Sequence, residues 1–166
     1  PGQTFSYSEN QLADAVVATV IATDADTNNG ATATNFRFEN SGGLPADTSS
    51  DGYFSINNNG DISITAAGIA AGVAQNDFET SPNSFNYAIQ ASSNGGTDFG
   101  AAVTVALNVT DIDDNTPVIT PGQTFSYSEN QLADAVVATV IATDADTNNG
   151  ATATNFRFEN SGGLPA

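Results

Sequence analysis

The chain has 166 residues, of which 19 are acidic and only 2 are basic, so that its formal net charge is −17. Nucleic acids and anionic membrane surfaces attract basic proteins, so this charge excludes both as partners and favours cations. The sequence contains no Cys and no His, which removes disulfides, zinc–thiolate sites and the commonest general base. No apolar run approaches the roughly 20 residues of a membrane-spanning helix, so we expect no membrane insertion.

Short β-strands separated by turn residues are predicted through the first 120 residues. The predicted strands are residues 4–8, 15–23, 35–39, 53–56, 61–65, 85–91 and 101–109. Residues 57–60 (Asn-Asn-Asn-Gly) predict a tight hairpin turn, because Asn and Gly tolerate positive φ angles. Residues 66–75 are rich in Ala and Gly and predict a loop with a helical turn. Seven short strands with turns between them predict an all-β fold, a Greek-key β-sandwich.

The sequence also repeats itself. Residues 1–46 recur without a single change as residues 121–166. A period of 120 residues is the size of a domain rather than of a solenoid unit. We therefore predict one complete repeat over residues 1–120, followed by the identical first part of the next repeat over residues 121–166. Identical modules in series favour a protein that gains length, valency or stiffness by repetition, rather than an enzyme.

Many of the acidic residues fall into short groups at the ends of strands or in loops. Five groups stand out: Glu9; Asp24 and Asp26; Asp77 and Glu79; Asp111, Asp113 and Asp114; and Asp144 and Asp146. Ca²⁺ takes six to eight oxygen ligands from carboxylates, amides and backbone carbonyls, whereas Mg²⁺ prefers octahedral sites that retain several waters. Two unit charges 4 Å apart repel by about 4 kcal/mol at an effective dielectric of 20, so converging carboxylates favour a bound cation. The sequence therefore predicts Ca²⁺, with simple solubility as the alternative.

The groups resemble, in this order, the motifs of the extracellular cadherin repeat. The four motifs are Ser8-Glu9-Asn10, Asp24-Ala25-Asp26, Asn76-Asp77-Phe78-Glu79 and the linker Asp111-Ile112-Asp113-Asp114-Asn115-Thr116-Pro117. The resemblance implies seven-stranded cadherin-like or immunoglobulin-like sandwiches joined end to end, with Ca²⁺ at each junction. The family also carries an Asp late in the sixth strand. Here Ser93 or Asn94 stands in its place.

The resemblance implies ligands on both sides of the junction between the two copies. They are Glu9, Asp77 and Glu79 from the first repeat, Asp111, Ile112, Asp113, Asp114 and Asn115 from the linker 111–117, and Asp144 and Asp146 from the second copy. Ile112 and Asn115 would offer carbonyl oxygens. Asp24 and Asp26 would serve the junction with a preceding repeat.

The resemblance extends to the extender repeats of bacterial surface adhesins of the RTX type. It implies a calcium-stiffened, extracellular spacer that projects a distal binding region for attachment to cells or surfaces. Its partners would be neighbouring repeats of the same chain. The alternative is a carbohydrate-binding or homophilic cadherin-like module. Paired carboxylates can also indicate a glycosidase, but these acids lie in loops without an aromatic platform, so we expect no enzyme.

Other residues have simpler interpretations. The isolated acids are expected only to solvate the surface; they are Asp14, Glu39, Asp47, Asp51, Asp61 and Asp98. Arg37 is expected to point outward from its strand and to pair with an acid, while Tyr7, Tyr53 and Tyr87 are expected in the core or at its edge. The second copy would expose apolar faces over residues 126–158, which permits self-association by strand exchange between chains. Either copy of the first three strands could complete the sandwich formed by residues 47–120.

Overall fold

The computed structural model describes residues 2–24, 35–44, 46–71, 77–93, 95–146 and 155–159. The chain divides into two units, Pro1–Ile112 and Asp113–Ala166. This division falls within the predicted linker, residues 111–117. Among the described residues, no helix is long and apolar enough to span a bilayer.

The first unit is an all-β sandwich of two sheets. Its elements are β1 (Gln3–Ser8), β2 (Val16–Thr19), β3 (Asn35–Phe38), β4 (Phe54–Ile56), β5 (Asp61–Ile64), α1 (Ala66–Ala70), β6 (Ser84–Ser92) and β7 (Val103–Thr110). One sheet has the order β1-β7-β6-β3 and the other the order β2-β5-β4. The pair β1–β7 is parallel, whereas the other pairs within these two sheets are antiparallel. The predicted fold class is confirmed, and each predicted strand has a counterpart.

The core lies between the two sheets and follows the alternation of apolar side chains along the strands. Phe36 and Phe38 on β3 are both buried, as their spacing predicts, and Val105 and Leu107 on β7 are fully buried. Phe54 packs edge-on against two aromatic rings of the opposite sheet, one of them Tyr87, with ring centroids 5.6 Å apart. Such edge-to-face pairs add about 0.5–1.5 kcal/mol each beyond the burial of their surface.

The predicted turn between β4 and β5 is present and depends on two residues. The side-chain oxygen of Asn57 accepts the backbone amides of Asn59 at 2.8 Å and of Asp61 at 3.0 Å. Gly60 has a φ of +85°, and a Cβ atom at this position would lie 2.4 Å from the carbonyl oxygen of Val20. Gly is therefore required at this position by both its backbone conformation and the space available.

The predicted helical turn after β5 is also present. Thr65 caps α1, because its hydroxyl accepts the amide of Gly68 at 3.0 Å. The rest of the loop prediction, residues 72–75, lies outside the described residues.

Several expectations for polar side chains were wrong. Arg37 was expected to pair with an acid, but its Nε donates to Gln90 at 2.9 Å and its guanidinium lies 3.8 Å from the centroid of the Phe99 ring. Asp51 was expected only to solvate the surface. Its carboxylate instead accepts hydrogen bonds from the hydroxyls of Ser49 at 2.6 Å and Tyr87 at 2.7 Å. Burial, reinforced by the bond to Asp51, raises the pKa of the Tyr87 phenol above its usual range.

Asp61 likewise has specific partners. Its carboxylate accepts the side-chain amide of Asn57 at 3.0 Å and the hydroxyl of Thr19 at 2.9 Å. These two bonds lower its pKa, the bond from Asn57 more than that from Thr19. Asp61 is only partly buried at the surface, so solvent screening keeps the contribution of these bonds to stability small.

Over its described residues, the second unit keeps the local turns of the first copy but forms no sandwich. Its described strands are β8 (Val118–Ile119) and β9 (Ala142–Thr143), which pair antiparallel. In each copy one Gln side chain bonds both backbone groups of an Ile. Gln3 bonds Ile21 at 2.8 and 3.0 Å, and Gln123 bonds Ile141 at 2.8 and 2.8 Å. This local conformation of the repeat is therefore retained without the strand pairing of the sandwich.

The same residue types are buried in one copy and exposed in the other. Val17 is 8 % exposed and Phe38 is 2 % exposed, whereas Val137 is 42 % exposed and Phe158 is 102 % exposed. The complete sandwich therefore uses the first copy of the first three strands, which decides between the two alternatives that the sequence leaves open.

Candidate metal centre

Glu9 is a charged side chain buried at the end of the sandwich. It follows the last residue of β1, and its own amide donates to the Thr110 carbonyl at 3.1 Å, which continues the β1–β7 pairing. Its side chain is only 1 % exposed. Oε2 accepts the backbone amide of Phe78 at 2.7 Å and Oε1 accepts that of Ile112 at 2.6 Å. Two backbone donors thus stabilise the ionised carboxylate in a buried position.

Two further carboxylates join Glu9 within the first unit. Glu79 comes from the turn that precedes β6, and Asp111 directly follows β7. One carboxylate oxygen from each of the three residues lies within 4.8 Å of the others. The sandwich therefore brings together three acids that are far apart in the sequence.

The donor set of this group fits a hard cation. Oε1 of Glu79 and Oδ1 of Asp111 are buried and accept no hydrogen bond, although both residues make other interactions. The only basic side chain of the first unit, Arg37, lies over the Phe99 ring. Buried carboxylate oxygens that repel one another are stabilised by a shared cation with oxygen ligands. The three residues therefore fit a metal of this class.

Asp77 was predicted as a ligand beside Glu79, but it does not belong to this group of three. Its side chain is exposed and its Oδ2 accepts the Thr80 hydroxyl at 2.9 Å. The backbone amide of Thr80 also donates to the Asp77 carbonyl, at 2.9 Å. In the structure, Asp77 stabilises the turn that carries Glu79.

The second unit holds a polar group around Asp146. Its Oδ2 accepts the backbone amide of Asn115 at 2.9 Å, and its Oδ1 accepts the side-chain amide of Asn115 at 2.9 Å. The same side-chain amide donates to Oδ1 of Asp114 at 3.0 Å, and Oδ1 of Asp144 accepts the amide of Asp146 at 3.3 Å. The side chain of Asn115 and the backbone amides of Asn115 and Asp114 hold the pKa of Asp146 below its usual value.

The remaining predicted ligands stand as follows. Asp113 is exposed. The amide of Ile112 donates to Glu9, and its predicted carbonyl ligation stays a prediction. Asp24 accepts the hydroxyl of Ser93 at 2.5 Å, so Ser93 provides a neutral partner where the family motif has an acid. Asp26 and Asn94 lie outside the described residues.

Sequence reasoning missed the part played by backbone donors. The amides of Phe78 and Ile112 hold Glu9 in place. Because every residue except Pro has a backbone amide, no particular residue type marks this role in a sequence. Only the placement of these residues inside the two acidic motifs hinted that they lie near Glu9.

Comparison with solved structures identifies the fold. The chain is similar to EC22-24 of mouse cadherin-23, with 27 % identity, a TM-score of 0.55, and coverage of 89 % of this chain and 42 % of that one. The fold is that of cadherin extracellular domains. The human desmocollin-1 ectodomain has 21 % identity, a TM-score of 0.65 and coverage of 89 % and 26 %. The protocadherin gammaB4 extracellular domain has 24 % identity, a TM-score of 0.61 and coverage of 90 % and 24 %.

The cadherin-like chain spans less than half the length of each of these structures. No family model matches it, and neither does any curated protein. The cadherin-like repeat is thus supported by structural similarity together with the four sequence motifs.

Proposed function

We propose that the chain is a calcium-binding repeat of an extracellular adhesion protein, and that Ca²⁺ stiffens the junction between successive repeats. The observation that carries this proposal is the group formed by Glu9, Glu79 and Asp111, whose oxygens lie within 4.8 Å of one another. Two of these three residues contribute a buried oxygen that accepts no hydrogen bond. A bound cation would satisfy those oxygens and remove the repulsion between the carboxylates.

Calcium suits the donor set better than magnesium does. Carboxylates and carbonyls supply only oxygen, and Ca²⁺ accepts six to eight such ligands in a flexible arrangement. Mg²⁺ requires a nearly ideal octahedron and keeps several waters. The residues that would hold calcium are the predicted set on either side of the boundary between Ile112 and Asp113. Asp77 would join this set through Oδ1, because its Oδ2 accepts the Thr80 hydroxyl.

The proposed role is that of a structural extender. Identical repeats favour length and stiffness, and the similar structures are cadherin ectodomains, none of them named as an enzyme. An acidic, calcium-dependent spacer fits the outside of a cell, where calcium is abundant. We propose a long bacterial surface adhesin as the parent protein, because the sequence has neighbouring copies without a single difference.

The alternative, a glycan-binding module, would need an exposed aromatic platform on the repeat. Tyr7 is 8 % exposed and Tyr87 is 9 % exposed, so the sandwich uses both rings as core. Tyr53 is half-buried against the same core. These positions favour the extender over the glycan-binding module.

Self-association is the second proposed partner interaction. Residues 123–128, 136–139 and 155–158 repeat the sequences of β1, β2 and β3, and their large apolar side chains, including Phe158, are exposed to solvent. They could replace β1–β3 in a second copy of the chain and make the same contacts. Because the exchange requires two chains to associate, the fraction of such dimers should increase with protein concentration.

Thermal unfolding tests the calcium proposal. We expect Ca²⁺ to raise the Tm of the chain relative to EDTA, because a ligand that binds only the folded state stabilises it. Mg²⁺ should raise it much less. Glu79→Gln should lose most of the shift, whereas Glu39→Gln, an exposed acid outside the groups, should retain it. Equal shifts in both variants, or no shift with Ca²⁺, would rule the proposal out.

A further inference from the structure

The first part of the linker is fixed to the first unit by hydrogen bonds within the protein. The amide of Glu9 donates to the carbonyl of Thr110 at 3.1 Å. The amide of Ile112 donates to the buried carboxylate of Glu9 at 2.6 Å. Because Glu9 is also held by the amide of Phe78 at 2.7 Å, it cannot follow the linker if the linker moves. The chain is therefore anchored as far as the amide of Ile112.

The last part of the linker is fixed to the second unit in the same way. Asp146 accepts the backbone amides of Asn115 and Asp114, and the bond from Asn115 measures 2.9 Å. Further along, β8 pairs with β9, and the amide of Thr120 donates to the carbonyl of Ile141 at 3.0 Å. The chain is therefore anchored again from the amide of Asp114 onward.

Between these anchors lie only the backbone torsions of Ile112 and Asp113. The boundary between the two units falls between the same two residues. We propose that, without metal, the linker bends only at Ile112 and Asp113, and that Glu9 and Asp146 are positioning residues that hold the chain on either side. Of the seven residues of the acidic linker, residues 111–117, only these two would form the hinge.

A short hinge has a consequence for calcium binding. Fixing the backbone of each mobile residue costs conformational entropy. If most of the linker is already held, an ion has to order only the backbone of two residues. This consequence rests on the proposed calcium function, whereas the hinge itself rests on hydrogen bonds that form without any ion.

Amide hydrogen exchange of the full chain in EDTA, followed by NMR, locates the hinge. After correction for intrinsic rates, we expect the amides of Ile112 and Asn115 to exchange at least about tenfold more slowly than that of Asp113. Fast exchange at Asn115, while the amide of Leu107 on β7 stays protected, would overturn the inference.

Two variants distinguish the loss of one anchor from a general loss of stability. Asp146→Ala should release the amide of Asn115 and leave those of Ile112 and Leu107 protected. Glu129→Ala is the matched control, because Glu129 is the exposed second-copy counterpart of Glu9 and its loss should change none of these rates. If Asp146→Ala leaves Asn115 protected, Asp146 does not act as an anchor and the inference fails.

The same exchange rates measured with Ca²⁺ test the proposed calcium function separately. If Ca²⁺ slows exchange at Asp113 as well, the hinge and the proposed function are both supported. If the EDTA pattern holds but Ca²⁺ changes no rate, the hinge stands and the proposed function fails.

Discussion

The carboxylate of Glu9 accepts the backbone amide of Ile112 at 2.6 Å, across a separation of 103 residues. Its other oxygen accepts the amide of Phe78. One buried acid therefore joins the end of β1, the turn that carries Glu79, and the start of the linker. This relationship explains why a repeat can place an unneutralised acid in its interior, since charge-assisted hydrogen bonds offset the loss of hydration.

Replacing Glu9 should cost stability, and the cost should depend on calcium. With Ca²⁺, Glu9→Gln should lower the free energy of unfolding by about 1–3 kcal/mol, because one backbone donor loses its acceptor and the ion loses a ligand. In EDTA the loss should be smaller, since removing a charge relieves the repulsion with Glu79 and Asp111. Denaturant unfolding measures both values. Glu129→Gln provides the matched control and should have no effect; equal effects in the two variants would contradict the account.

The two copies of β3 should respond differently to the same core substitution. Phe38 is 2 % exposed and Phe158 is 102 % exposed. Phe38→Ala should cost about 3–5 kcal/mol, the range for truncating a buried aromatic residue, whereas Phe158→Ala should leave the unfolding midpoint unchanged. If both substitutions cost the same, the two copies exchange freely and the sandwich is not restricted to the first copy.

The bond between Tyr87 and Asp51 should be visible in the pH dependence of stability. Burial and Asp51 raise the pKa of Tyr87, so the folded state keeps the phenol protonated. The unfolded state ionises near pH 10. Stability from this group should therefore be complete below about pH 10 and fall as the pH rises further. Tyr87→Phe should weaken that dependence and cost about 1 kcal/mol at neutral pH.

The control for Tyr87 is Tyr127→Phe, because Tyr127 is 69 % exposed in the second copy. Its removal should leave both the stability at neutral pH and the alkaline slope unchanged. An alkaline slope that is identical in the wild type and in Tyr87→Phe would show that Tyr87 is not the titrating group.

Strand exchange between chains should depend on the apolar face of the second copy. Val137→Asp should reduce the dimer fraction several-fold at high protein concentration, because Val17, its counterpart, is 8 % exposed in the sandwich. Leu132→Asp is the control, since Leu12 and Leu132 are 79 % and 84 % exposed. Light scattering after size-exclusion chromatography measures the fractions. Equal dimer fractions in both variants would exclude exchange through this face.

Much of the fold could be predicted because its signals are local. Three such signals reflect the conformation of adjacent residues: the alternation of polar and apolar side chains on β3, the Asn57–Gly60 turn, and the β-branched run that includes β2. The grouping of Glu9, Glu79 and Asp111 could be expected from their motifs. The hydrogen-bond partners of Asp51 and Arg37 could not be predicted in this way. Arg37 meets Gln90 because β3 pairs with β6 in that register, and Tyr87 lies 36 residues from Asp51 in the sequence. Nothing in the neighbouring sequence specifies either contact.

Calcium titration by isothermal calorimetry tests the central claim most directly. The full chain should bind Ca²⁺ with a Kd of about 10⁻⁴–10⁻³ M, the range of extracellular modules. The heat should be strongly reduced in Asp111→Asn and unchanged in Glu129→Gln. Calcium binding of equal strength in both variants, or no binding in the wild-type chain, would contradict the assignment of Glu9, Glu79 and Asp111 as a calcium site.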